Sequence, residues 1–117
     1  MAEHLKIAWW QWLPFRPWRI VGAVESADLV PDLLPRNGAV LVGTLEQPKW
    51  IALDCPCRQG HRILLNADAR RQPAWRIAAA RDGKLSIAPS VDYSDRQRRC
   101  HYFVRNGKIL WAKDSTR

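Results

Sequence analysis

Cys100-His101-Tyr102-Phe103-Val104-Arg105-Asn106-Gly107-Lys108-Ile109-Leu110-Trp111-Ala112 is the stretch that decides the fold. Two apolar runs flank Asn106-Gly107, the pair that best tolerates the positive φ angles of a tight type I′ turn, so the stretch reads as a β-hairpin. The two-residue period of a strand puts His101, Phe103 and Arg105 on one face and Tyr102 and Val104 on the other.

Upstream, Trp75-Arg76-Ile77-Ala78-Ala79 and Leu85-Ser86-Ile87 flank Arg81-Asp82-Gly83-Lys84, a second hairpin signal. Pro89-Ser90-Val91 is expected to end that strand, with a polar loop from Asp92 to Arg99. Further toward the N-terminus, Ala39–Gly43, Lys49–Asp54 and Arg62–Asn66 have the β-branched and aliphatic composition of strands. Leu5–Leu13 and Trp18–Val24 are read as two more strands, joined by a bend at Pro14 and Pro17. Ser26 can start a short helical turn, which Pro31 and Pro35 keep from extending. About eight or nine short strands with little helix predict an all-β fold, a small sandwich or partly open barrel of short antiparallel strands. Its 117 residues suit one domain, 1–117, with Trp/Pro-rich N-terminal strands in 1–25 and a β core in 30–112.

The charge is unevenly distributed. Residues 1–54 carry 5 basic and 6 acidic side chains, whereas residues 55–117 carry 14 and 5. A basic half of this kind attracts phosphate backbones or acidic protein surfaces in a salt-dependent way. Arg58, Arg62, Arg70, Arg71, Arg96, Arg98 and Arg99 are the candidate contacts for an acidic protein surface or nucleic acid. No recognition helix or RNA-binding aromatic motif accompanies them, so sequence-independent binding is the most they predict. The apolar run Ile7–Leu13 is too short to span a bilayer. Its tryptophans, part of a total of seven, are expected to pack against the domain.

Cys55-Pro56-Cys57-Arg58-Gln59-Gly60-His61 puts two thiols and an imidazole into seven residues between two predicted strands. Pro56 and Gly60 make it a tight knuckle. Three cysteines cannot form a complete set of disulfides, and such a cluster without a secretory signal points to reduced, cytoplasmic, metal-binding thiols. A structural zinc site needs four thiolate or imidazole ligands. Cys55, Cys57, Cys100 and His101 supply that number with His61 in reserve. Neighbouring residues of a regular strand point to opposite faces, however, so Cys55, Cys57, His61 and His101 form an alternative set. With three ligands only, the fourth position would be open for a hydrolytic water, with Asp54 or Asp92 as base. A second catalytic alternative is Cys57 activated by His101. Ser90 does not lie in a nucleophile elbow and reads as a turn residue.

Taken in order, Cys55-Pro56-Cys57, Gly60, Leu65-Asn66, Trp75, Ser86-Ile87, Pro89-Ser90-Val91, His101-Tyr102-Phe103-Val104, Gly107 and Trp111 resemble an uncharacterised prokaryotic family of small metal-binding-like proteins. Its pattern is Cys-Pro-Cys-Gly-Cys-Gly, Pro-Ser-Ile and Cys-x-x-His-Phe, and the resemblance runs from Val30 to Ala112. Arg58-Gln59 replaces Gly-Cys of that pattern, and Cys100 stands two residues after the position, here Arg98, of its later cysteine. The resemblance implies a metal-binding, mainly β module, an accessory of a prokaryotic ubiquitin-like or mobile-element system. Together these observations predict a zinc-stabilised β domain that acts as a non-enzymatic binding or adaptor module. The alternatives are a zinc- or cysteine-dependent hydrolase using Cys57 and His101, and a nonspecific nucleic-acid-binding protein.

Overall fold

A computed structural model describes residues 5–115 as two four-stranded sheets with two short 3-10 turns, Trp9–Trp12 and Ala27–Leu29. The first sheet, in the order β1-β2-β3-β4, consists of Arg19–Val24, Gly38–Gly43, Pro48–Asp54 and Arg62–Asn66. The second, β5-β6-β7-β8, consists of Arg76–Ala79, Leu85–Ser94, Arg99–Arg105 and Lys108–Trp111. All neighbours are antiparallel except β1 and β2. The all-β sandwich is therefore as expected, and the sheets do not close into a barrel.

Burial follows the two-residue period. Along β7 it alternates half-buried Arg99, His101 and Phe103 with buried Cys100, Tyr102 and Val104. These inward residues meet Leu85, Ile87 and Val91 of β6 and Ile51, Leu53, Ile63 and Leu65 of the first sheet in one apolar cluster. Trp18 closes one end through backbone bonds: its N–H donates to Gly107 O at 2.9 Å, and its carbonyl accepts from Leu85 N at 2.9 Å.

Two local expectations are corrected. Leu5–Leu13 forms no strand. Leu5 and Ile7 instead pack on the outer cluster around Val24, Leu34, Val40 and Val42, with Leu5 lying over Gly22, where no Cβ intervenes. The 3-10 turn that follows leaves Trp9, Trp10 and Trp12 exposed rather than packed. The second correction concerns β6, which does not end at Pro89 but runs to Ser94. Ile87 pairs with Val104 and Val91 with Tyr102, so Ala88-Pro89-Ser90 lies opposite Phe103 alone. This bulge accommodates a proline that has no N–H for the ladder. Only the turn at Asp95–Arg98 remains of the expected loop.

Asn106 and Gly107 turn the last hairpin at φ 49° and 80°. A Cβ on Gly107 would lie 2.9 Å from Pro17 Cβ, whereas one on Gly83, at φ 87°, would meet nothing within 4 Å. Both alanine variants carry the left-handed backbone cost of roughly 1–3 kcal/mol. Gly107→Ala is expected to lose more stability than Gly83→Ala in chemical denaturation, and equal losses would refute the packing role of Gly107.

Candidate active site and metal centre

Two clusters of reactive side chains lie on opposite faces of the β6–β7 pair. The inward cluster begins with the knuckle between β3 and β4. Cys55 N donates to His61 O at 2.8 Å and Arg58 N to Cys55 O at 3.0 Å. The turn needs positive φ at Arg58 (61°) and Gly60 (88°), so the glycine expected to bend the chain does so. This brings Cys55, Cys57 and His61 to Cys100 on the inner face of β7, with one ligand atom from each within 4.8 Å of one another. His61 Nδ1 is 3.5 Å from Cys57 Sγ.

The residues present fit a tetrahedral metal. Zinc–sulfur bonds of about 2.3 Å imply sulfur–sulfur separations of about 3.8 Å, which small side-chain adjustments reach from this arrangement. Burial pushes the Cys55 thiol up to about 12 and also raises Cys100, so a cation is what would favour the thiolates. His61 has its other nitrogen 3.4 Å from Asp95 and its ring 4.4 Å from Tyr93, the type of support that orients a metal-bound imidazole. The Tyr102 hydroxyl is fully buried without a hydrogen-bond partner and lies near Cys55, whose thiolate would accept a hydrogen bond from it. All three cysteines are free.

The set brought together is neither of the two combinations expected from the sequence. Cys55, Cys57, Cys100 and the reserve ligand His61 converge, and His101 lies outside the cluster. Strand alternation is the cause: Cys100 points inward, so His101 must point outward. The predicted Cys57–His101 couple consequently does not form, because Cys57 faces His61 and His101 faces Ser90.

On the outer face, Ser90 Oγ lies 3.1 Å from His101 Nε2, and His101 Nδ1 lies 2.8 Å from Asp114 Oδ1. An ionised carboxylate only accepts, so Nδ1 carries the proton and Nε2 presents a lone pair to the serine hydroxyl. Three elements hold this line of groups. The β6 bulge puts Ser90 on the outer face beside His101, and Trp75 Nε1 donates to Ser90 O at 2.7 Å. Trp75 is itself placed by Asn66, whose buried amide donates to the carbonyls of Asp68, Arg71 and Pro73, each at 3.1 Å. Residues after β8 fold back on β7: Ala112 N donates to His101 O, and the Ser115 hydroxyl accepts from His101 N and donates to Arg99 O. That return places Asp114. Arg99 spans Asp114 Oδ2 at 3.0 Å and Asp92 at 2.7 Å, and Asp114 is held below the ordinary carboxylate range, chiefly by its hydrogen bond with His101.

Asp114 was missed by sequence reasoning, and Ser90, set aside there as a turn residue, lies instead in the bulge of β6. Pro-Ser-Val was visible as part of a pattern, but the serine's neighbour is eleven residues away in the chain and only strand pairing joins them. Of the predicted basic contacts, Arg62 is bonded to Asp54 and to the carbonyls of Pro31 and Asp32, Arg70 to Asp68, and Arg99 to Asp92 and Asp114. Arg58 sits in the knuckle, Arg71 in the loop before Trp75, and Arg96 and Arg98 in the turn after β6. The two candidate bases also have partners, Asp54 with Arg62 and Asp92 with Arg99.

A serine, an imidazole and a carboxylate in hydrogen-bonded series define the arrangement of a nucleophilic hydrolase, here on a β-sandwich that also carries a Cys₃His cluster. Residues 26–112 match the family described as the bacterial ubiquitination-like system serine protease, BubE, and the chain belongs to that family. Neither the curated proteins nor the solved structures contain a significant match. No helix among the described residues is long and apolar enough to cross a membrane.

The depressed Asp114 value has a signed consequence. Its contribution to stability is complete above the ordinary value of 3.8 and disappears as pH falls through the lower folded value. Between 3.8 and that lower value, the pH dependence of unfolding should therefore be shallower in Asp114→Asn than in wild type. Identical slopes would show that the His101 and Arg99 contacts to Asp114 are absent in solution.

Proposed function

We propose that this protein is a serine peptidase of a bacterial ubiquitination-like system, with Ser90 as nucleophile, His101 as general base and acid, and Asp114 as the carboxylate that orients the imidazole. The observation that carries the reading is the hydrogen-bonded series from Ser90 through His101 to Asp114. The family description supports it independently. The substrate class is an amide bond, peptide or isopeptide, formed by a ubiquitin-like modifier.

Ser90 Oγ attacks the amide carbonyl carbon as its proton moves to His101 Nε2. Asp114, fixed on Nδ1, stabilises the imidazolium. His101 then gives that proton to the departing amine nitrogen, the carbon–nitrogen bond breaks, and the acyl group remains on Ser90. Water, deprotonated by His101, cleaves the ester, and Ser90 recovers its proton.

The inward cluster has a structural role in this reading. Cys55, Cys57, His61 and Cys100 would hold zinc with no position left for a substrate water, and a bound ion would fix β7 one residue from the catalytic histidine. The basic half of the chain, expected to serve an adaptor, here receives an acidic protein partner for the peptidase.

A fluorophosphonate probe should label Ser90, and labelling should disappear in Ser90→Ala and fall by a factor of about 100 or more in His101→Ala, with unchanged circular dichroism. A folded His101→Ala protein labelled at the wild-type rate would refute the assignment. Metal analysis should find about one zinc per chain, and Cys57→Ser should lose both zinc and thermal stability. A fully folded wild-type protein without metal would exclude the structural zinc.

A further inference from the structure

The outer face of the second sheet continues from the triad into a cleft of about 1200 Å³ whose walls include Trp75, Arg76, Pro89, Phe103 and Arg105. The triad residues do not line it, but Pro89 precedes the nucleophile and the Phe103 ring lies 5.8 Å from that of His101, so the cleft adjoins the triad. Pairing arranges the side chains of this face in rows. Arg76 pairs with Ala88, which shares the bulge opposite Phe103, and Phe103 pairs with exposed Leu110. In the next row Ala78 pairs with Ser86 and Arg105 with Lys108. The face thus presents an apolar centre, Phe103 and Leu110, bordered by the cations Arg76, Arg105 and Lys108.

The acidic groups near this face are committed or marginal. Asp92 and Asp114 at the triad end are held by Arg99, Asp68 on the cleft wall is bonded to Arg70, and Glu46 contributes one carboxylate at the opposite wall. Arg105 lies 5.0 Å from the Phe103 ring centre, poised over the apolar floor. From His101 to Arg105 is four residues of strand, about 13 Å, which an extended peptide covers with about four residues.

Resting on the serine-peptidase reading, we propose that this cleft binds the substrate as an extended acidic peptide. An apolar side chain lies on Phe103 beside the scissile bond, and a carboxylate about four residues away meets Arg105, Arg76 or both. This complementarity selects among chains that the triad alone could not distinguish.

Short internally quenched peptides test this assignment. They carry one apolar residue at the scissile bond and Glu, Ala or Lys about four residues to either side. With one of the two placements, Glu peptides should be cleaved faster than Ala peptides and Lys peptides slowest, with the difference shrinking in high salt. The double charge reversal Arg76→Glu, Arg105→Glu should lower kcat/KM for the Glu peptide about tenfold and raise it for the Lys peptide, while fluorophosphonate labelling of Ser90 stays at the wild-type rate. Equal cleavage of the three peptides at both placements, or an equal change for all of them in the charge-reversed protein, would overturn the proposal. Anisotropy of the same peptides on Ser90→Ala protein separates the two readings. Glu-selective binding to it, with no cleavage by the wild-type protein, would support the cleft while removing the peptidase, and wild-type cleavage without charge selectivity would do the reverse.

Discussion

The alternation of side chains along β7 is the constraint on which the site depends. Cys100 and His101 are adjacent, and a strand sends adjacent side chains to opposite faces. The thiol therefore joins Cys55, Cys57 and His61 in the interior, while the imidazole joins Ser90 and Asp114 outside. One peptide unit connects a cluster suited to metal with a cluster suited to acyl transfer. Whatever fixes Cys100 inside also fixes the direction of His101.

The rest of the molecule can be understood as support for that strand. Its inner residues are anchored in the shared core, Tyr102 and Val104 being fully buried. On one side β6 carries a bulge, without which Ser90 would not stand beside His101. On the other, β8 ends in a turn that returns Asp114 to the imidazole. Asn66 acts at longer range, organising the loop that places Trp75 against the carbonyl of Ser90. Substitutions at these supports would disturb geometry rather than chemistry.

The two clusters also differ electrostatically in a way that suits separate roles. The buried thiols of Cys55 and Cys100 are deprived of water, which raises them until a cation compensates. The outer groups are half-buried or exposed and are linked by charge-assisted hydrogen bonds, Arg99 closing the series by joining Asp92 to Asp114. A nucleophile must meet substrate and water, whereas a structural metal is best kept from both. The sheet separates these requirements.

The sequence by itself determined the strand composition, the two hairpins with Asp-Gly and Asn-Gly turns, the knuckle at Cys55–His61 and the face shared by His101, Phe103 and Arg105. Each of these follows from local rules: glycine at positive φ, the two-residue period and the spacing of thiols. Only the tertiary structure decided that Cys100 rather than His101 joins the interior Cys/His cluster, because that choice depends on which face of β7 meets the first sheet. It also decided that Ser90 is a partner of His101, since a bulge and a strand pairing bring together residues with no shared local motif. Asp114 was least legible of all: a single aspartate in a polar tail acquires meaning only where a turn lays it beside an imidazole.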